Sequence, residues 1–202
     1  MTMNKYILGI SGGSGGRYSV SVLNGIIKAG HKCHLVTSKP GRRILSLETD
    51  LKLTGSADKD KKILMDKFNF NEDLLEVIDE NDVGASIASG SFRTSGMAIV
   101  PCSTGSLGSL ANGISRGLIE RAADVCIKER RKLVIVPRET PYSLIHLENM
   151  TKLTNAGAII LPASPGFYNL PQTIDDLINM ISSRVLEKLG IESDNLKEWK
   201  GE

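Results

Sequence analysis

The sequence predicts an α/β fold, a single domain built on a doubly wound parallel sheet. Three observations predict it. Short, almost wholly apolar runs alternate with longer stretches in which apolar residues recur at helical spacing. The runs lack the polar alternation of a half-exposed strand, as expected where helices cover both faces of a sheet. Three of them stop at a proline and open into polar or glycine-bearing loops, the place where open parallel sheets bind ligands.

The elements follow in chain order. Tyr6-Ile7-Leu8-Gly9-Ile10 is a first strand, ending in Ser11-Gly12-Gly13-Ser14-Gly15-Gly16. Apolar residues then recur at helical spacing over 17–28, and Ala29-Gly30-His31 reads as the stop. His34-Leu35-Val36-Thr37 is a second strand closed by Ser38-Lys39-Pro40-Gly41, which completes a βαβ opening. Between 42 and 91 the pattern weakens. There 43–48 is a helix candidate, and the charged run 58–62 reads as a solvated face or turn. The Gly- and Ser-rich stretch 85–95 reads as a loop or a lid on the substrate side. Met97-Ala98-Ile99-Val100 is a buried strand cut by Pro101, followed by helices over 107–111 and 118–130. Leu133-Val134-Ile135-Val136 is another buried strand, followed by Pro137, and 144–156 is a helix capped by Gly157. Ala158-Ile159-Ile160-Leu161 is the last strand, ending at Pro162, and 174–189 a final helix stopped by Gly190. The domain is expected over 1–191, with 192–202 as a C-terminal tail.

Composition narrows the function classes. At 202 residues, with 41% hydrophobic and 24% charged residues, the chain is ordinary for one globular domain. Only 4% is aromatic, so the core is expected to be Ile, Leu, Val and Ala. A formal net charge of +2 is too small to indicate nucleic acid or an anionic membrane as a partner. Cys33, Cys102 and Cys126 are odd in number and form no CxxC pair, which predicts a reduced, cytoplasmic protein. No signal peptide and no run near ~20 apolar residues is read in the chain. His31, His34 and His146 lack metal-like spacing, so no metal site is predicted, and His146 is expected to orient a neighbour.

The loops carry the chemistry. Gly12, Gly13, Gly15 and Gly16 allow a tight turn and a close backbone approach, and amides at the next helix N-terminus would point at an anion. Ser11 and Ser14 add hydroxyls. The spacing is neither G-x-G-x-x-G nor a P-loop, so a glycine turn without ligand is the competing reading. Pro101-Cys102-Ser103-Thr104-Gly105-Ser106 places hydroxyls and a glycine after a strand, suited to a phosphate or a flavin edge; Cys102 reads as a buried small hydrophobe. Arg121, Asp124, Lys128 and Arg131 form a stripe at helical spacing, which alone reads as a salt-bridged face. In Pro137-Arg138-Glu139-Thr140-Pro141 two prolines stiffen an acid beside an arginine, an arrangement suited to proton transfer next to an anion. Tyr168, in a loop with three prolines, could donate to a phosphate, and Arg184 on the last helix could add a cation.

Together these loops resemble the flavin prenyltransferase family (UbiX-type, also known as aromatic-acid decarboxylase). The residues that carry the resemblance are Gly12-Gly13-Ser14-Gly15, Pro101-Cys102-Ser103-Thr104-Gly105, Glu120-Arg121-Ala122-Ala123-Asp124-Val125, Lys128-Glu129-Arg130, Pro137-Arg138-Glu139-Thr140-Pro141, His146-Leu147-Glu148-Asn149-Met150 and Pro165-Gly166-Phe167-Tyr168, in family order. The likeness runs from about residue 5 to 191. It implies a Rossmann-like flavoprotein forming a dodecamer from trimers, with active sites between subunits and no metal. The implied reaction transfers dimethylallyl from dimethylallyl phosphate onto N5 and C6 of reduced FMN. The product is the prenylated-FMN cofactor of a partner decarboxylase.

Carried over by position, the resemblance implies that Gly12, Gly13, Ser14, Ser38, Ser103, Thr104, Gly105, Ser106 and Arg138 hold FMN. Lys128, Tyr168 and Arg184 resemble the ligands of the prenyl phosphate, with Ser89 and Gly90 in a loop over the prenyl group. Glu48, Arg121 and Glu139 resemble polar active-site residues, and Ser14 and Glu139 the proton handlers. Position 13, often alanine in the family, is glycine here. Three other readings stay open: a flavin-dependent decarboxylase of cysteine-derived carboxylates, a decarboxylase acting directly on phenolic acids, and a flavin-storage protein. Against the first, no His lies in 17–28 and no Pro-x-Met-Asn occurs. Against the last, storage needs no second anion pocket.

Overall fold

The computed structural model describes residues 3–192; Trp199 and the expected tail beyond Glu192 lie outside the described residues. Among the described residues six strands form one sheet: β1 (Lys5–Ile10), β2 (Lys32–Thr37), β3 (Leu75–Ile78), β4 (Gly96–Cys102), β5 (Lys132–Pro137) and β6 (Ile159–Ile160). All pair in parallel, in the order β3-β2-β1-β4-β5-β6. Seven α-helices connect them: α1 (Gly16–Lys28), α2 (Lys39–Glu48), α3 (Ala57–Phe68), α4 (Thr104–Ala111), α5 (Leu118–Lys128), α6 (Leu144–Asn155) and α7 (Ile174–Leu189). This is the doubly wound α/β architecture that the alternation of runs predicts.

Alternate residues of each strand feed two cores. Tyr6, Leu8, Leu35, Ala98 and Val134 face α1 and α7, where Val22, Ile26, Val185 and Leu186 are buried. Ile7, Val36, Met97, Ile99 and Ile135 face the side that buries Leu107, Ile119, Ala122 and Leu153 of α4, α5 and α6. With both faces covered, the strands need no polar alternation. The chain winds outward from β1 to β3 and then returns to place β4 against β1. That reversal between β1 and β4 is the switch point, where open parallel sheets place a ligand crevice at the carboxyl edge.

The structure departs from the sequence reading at several places; α2 and α4 begin earlier, at Lys39 and Thr104, and β6 shortens to Ile159–Ile160. β4 does not stop at Val100; it continues through Pro101 to Cys102. A proline lacks the ladder N–H, and the pairing of β4 with β5 shifts register between Ile99 and Cys102 to accommodate it. The charged run 58–62 lies inside α3 and is solvated as read at Asp58, Lys59 and Lys62, but Asp60 is buried. Its carboxylate accepts from Thr54 N at 2.6 Å, Thr54 Oγ1 at 2.8 Å and Gly55 N at 2.9 Å, which satisfies the turn that enters the helix. β3 escapes the pattern because it is four residues long and carries Glu76, which pairs with Lys32 at 2.8 Å. Finally, α5 ends at Lys128, two residues early, because Arg130 adopts left-handed φ of 55°.

Two stability predictions follow from these buried polar groups. Replacing Asp60 by Ala leaves three donors without their acceptor and should cost about 2–4 kcal/mol in denaturant titrations. His34 in β2 is 2% exposed and packs edge-to-face on Phe92, with ring centroids 5.2 Å apart. Neither ring nitrogen has a hydrogen-bond partner. Burial pushes its pKa down to about 4, against the pull of Glu76 at 3.4 Å and with added repulsion from Lys32 and Lys5. The unfolded chain, with the ordinary value of 6.5, then binds more protons than the folded one between those values. Stability should therefore fall as pH drops from 6.5 toward 4, and His34→Gln should flatten that part of the denaturation profile.

Candidate functional site

The crevice is built from the ends of β1, β2, β4 and β5. Ser11, directly after β1, is buried and stitches two of these ends together. Its hydroxyl donates to Pro101 O at 3.0 Å and accepts from Ser103 N at 2.7 Å. Gly12 lies against Pro40, whose Cβ would be 2.6 Å from any side chain at position 12, so a glycine is needed for this approach. A methyl at Gly13 would be in ordinary 3.4 Å contact with Cys102 O and Pro101 Cβ, so the loop accommodates glycine or alanine there.

The N-terminus of α1 is not open to a ligand. Glu48, at the end of α2, reaches back to it: its carboxylate accepts from Ser14 Oγ at 2.6 Å, Gly15 N at 2.8 Å and Gly16 N at 2.7 Å. The expectation that these helix amides face a bound anion is corrected accordingly. The chain's own carboxylate meets the positive end of the helix dipole and holds the Ser14 hydroxyl as a donor.

The open helix end is that of α4. Ser103 caps it by accepting from Ser106 N at 3.2 Å, which leaves the amides of Thr104 and Gly105 facing outward. Ser38 caps α2 in the same manner, accepting from Gly41 N at 3.0 Å, and Pro40 removes a further donor. Arg138, beyond β5, donates from Nε to Ser14 O at 3.3 Å, so its guanidinium stands beside the glycine loop. Glu139 is half-buried, and its Oε1 accepts from Thr140 N at 2.9 Å. The predicted residues Gly12, Gly13, Ser14, Ser38, Ser103, Thr104, Gly105, Ser106, Arg138 and Glu139 therefore come from four loops on one edge of the sheet, and Glu48 joins them. Backbone amides, hydroxyls and one guanidinium are a donor set that suits a phosphate-bearing ligand. Cys102 is fully buried, and burial with the nearby charge of Glu120 pushes its thiol well above the ordinary value, so it is a packing residue.

The second predicted set does not come together within the chain. Lys128 ends α5, about 15 Å along the helix from its start at the carboxyl edge, and lies next to the beginning of β5. Ser89 and Gly90 lie beside it, in the segment that descends to Ser95, whose amide bonds Lys5 O at the start of β1. Arg184 is ten residues into α7, exposed and paired with Glu187. Only Tyr168, in the exposed loop after β6, is on the carboxyl edge of its own chain. Within one chain, then, residues 89–91 do not cover the glycine loop. Arg121 pairs with Asp124 at 3.0 Å and bonds Ala88 O at 3.2 Å.

Two polar residues at the site were not anticipated. Glu120 accepts from Ser106 Oγ at 3.0 Å, orienting a hydroxyl that the sequence reading placed at the cofactor. Arg131, read only as part of a surface stripe, bonds Phe92 O and Gly90 O. Glu120 enters the sequence reading only within a family motif and Arg131 only within the stripe, because the partner of each is set by tertiary contact. His146 orients a neighbour: it forms a reciprocal capping box with Ser143 at the start of α6. A groove of about 810 Å³ runs between α1, α7 and the ends of α2 and α3, and Glu48 is the one predicted residue lining it. Among the described residues no cluster of His, Cys, Asp and Glu could hold a metal ion, and no helix is long and apolar enough to cross a membrane.

Comparison with known proteins agrees with this geometry. The family model described as Flavoprotein matches residues 1–186. The flavin prenyltransferase UbiX of Alkalihalophilus pseudofirmus is 46% identical over 192 residues, covering 95% of this chain and 94% of its own. The crystal structure of a dodecameric FMN-dependent UbiX-like decarboxylase from Escherichia coli superposes with a TM-score of 0.84 at 39% identity, covering 98% of this chain and all of the other. AnUbiX (PadA1), solved with FMN and dimethylallyl pyrophosphate, superposes with a TM-score of 0.87 at 34% identity over 99% of both chains. By its loops, its sheet order and its extended similarity to these proteins, this chain belongs to the UbiX-type flavin prenyltransferase family.

Proposed function

We propose that this protein binds FMN in the carboxyl-edge crevice and transfers dimethylallyl from dimethylallyl phosphate to the reduced flavin. The observation that carries the reading is the donor set gathered on the carboxyl edge; the second set is the one that the family resemblance assigns to the prenyl phosphate, and its members lie apart within one chain. One set, on the carboxyl edge, suits the phosphate of FMN: the Thr104 and Gly105 amides, Ser103 and Arg138. The other, Lys128, Arg184 and Tyr168, suits a small second phosphate. It has no use in a protein that only stores flavin.

Reduced FMN would supply the electron-rich atoms that accept the prenyl group. The remaining work falls to the chain. As the allylic C–O bond breaks, Lys128, Arg184 and Tyr168 stabilise the negative charge gathering on the departing phosphate, which removes the need for a metal. To Ser14, a donor toward Glu48, and Glu139, an acceptor from Thr140 N, this reading assigns the proton that the flavin ring would release.

Lys128 and Arg184 lie away from the carboxyl edge that carries the first set and Tyr168, so a complete site needs neighbouring copies. An exposed apolar rim supports such contacts: Leu144, Ile145 and Leu147 on α6, with Phe167, Leu170 and Ile174 before and at the start of α7. We therefore read the protein as a homo-oligomer, a dodecamer as in the Escherichia coli relative, whose product passes to a prenylated-FMN-dependent decarboxylase. The three buried, unpaired cysteines fit a reducing, cytoplasmic setting.

Incubation with reduced FMN and dimethylallyl phosphate should add the mass of one prenyl unit to the flavin. Release of carbon dioxide from an aromatic acid, without that mass gain, would favour direct decarboxylation instead. Glu48→Gln and Lys128→Ala should each slow prenyl transfer by roughly a hundredfold or more. Oligomers assembled from both variants together should regain part of the activity, because some sites receive an intact Glu48 from one copy and an intact Lys128 from another. Absence of any recovery would count against sites shared between subunits.

A further inference from the structure

We propose that Arg131 is a positioning residue for the prenyl-phosphate half-site, holding the Ser89-Gly90-Ser91 turn against Lys128. The proposal rests on the reading that Lys128 and this turn receive dimethylallyl phosphate, and it adds the device that shapes them. The device begins with the way α5 ends. Arg130, at φ 55°, takes the left-handed position where glycine is usual. Its amide bonds Ile127 O at 3.1 Å, and the Arg131 amide bonds Cys126 O at 2.8 Å. These are the two hydrogen bonds of a Schellman turn, and they redirect the chain so that the Arg131 side chain crosses to the 88–92 segment.

There the guanidinium donates to two alternate carbonyls, Phe92 O at 2.7 Å and Gly90 O. Arg121 takes the preceding alternate carbonyl, Ala88 O, at 3.2 Å. Phe92 anchors the far end: its ring packs on His34 and lies 4.8 Å below the Lys5 ammonium. At the middle of the clamp, Gly90 leaves the space that the ion-paired Lys128 and Glu129 side chains fill. A Cβ at position 90 would be 2.7 Å from Lys128 Nζ and 2.3 Å from Glu129 Oε1. The hydroxyls of Ser89 and Ser91 are 2.8 Å apart on the same turn. A Gly- and Ser-rich segment has high conformational freedom, so fixing it before substrate arrives removes an ordering cost from binding. Only a planar fork spans two carbonyls in this way; a lysine offers the charge without the fork.

The test uses the full-length assembled protein with Arg131→Gln, Arg131→Lys and Gly90→Ala. Both Arg131 variants should raise KM for dimethylallyl phosphate roughly tenfold or more, with kcat and FMN affinity little changed. Amide hydrogen exchange over 88–93 should quicken in both. Gly90→Ala presses on the flexible ends of two side chains, so the fold should survive while Lys128 is displaced. It should show the same KM rise with exchange still slow. Wild-type KM and exchange in Arg131→Gln would overturn the proposal. So would full rescue by Arg131→Lys, which would reduce the role to charge, or an unchanged KM in Gly90→Ala. If the wild-type protein transfers no prenyl group, the proposed function fails and the assignment to a prenyl phosphate falls with it. Exchange over 88–93 then still decides whether Arg131 clamps the turn.

Discussion

The Glu48 carboxylate sets what the rest of the site can do. By accepting two amides of α1 and the Ser14 hydroxyl, it occupies the helix end that a glycine loop would otherwise offer to a ligand phosphate. On the proposed reading, an anionic ligand would instead meet the start of α4, where Ser103 caps the helix ahead of the Thr104 and Gly105 amides. The same carboxylate fixes the direction of the Ser14 hydroxyl bond, a requirement for any role in proton transfer. The glycine loop, whatever ligand it meets, holds an acid and a hydroxyl in contact.

That arrangement needs the loops to hold their spacing, and buried hydrogen bonds supply it. Ser11 joins the ends of β1 and β4 through one hydroxyl, at the point where the winding of the sheet reverses. Arg138 ties the end of β5 to the glycine loop through Ser14 O. Each of these contacts links segments roughly ninety or more residues apart, so the crevice exists only once the whole sheet is assembled. Broken individually, each would leave a partly buried polar atom without its partner, which gives the site its rigidity.

The opposite end of the molecule is organised as a second unit. Lys128, the turn at 89–91, Phe92 and His34 gather near the amino edge of the sheet, held by Arg131. A strand of six residues separates the two edges by roughly 20 Å, more than any side chain spans. Chemistry that uses both units therefore belongs to an assembly, and the exposed apolar rim on α6 and before α7 provides surface for one.

Much of this was legible in the sequence. The βαβ opening, the apolar strands and the capped ends of α1 and α7 are local features, fixed by periodicity and by glycine conformation, and the structure reproduces them. The four carboxyl-edge loops could likewise be placed together, because parallel strands send every such loop to one side. Tertiary structure decided the rest. It buried Asp60 within a run of charges, carried β4 through Pro101 and made a strand of a short segment containing Glu76. It also turned Glu48 onto α1, aimed Arg131 at the 88–92 carbonyls and set Lys128 apart from the glycine loop. Periodicity reports which face of an element is buried; the partner of a polar side chain depends on which distant segment the sheet brings beside it.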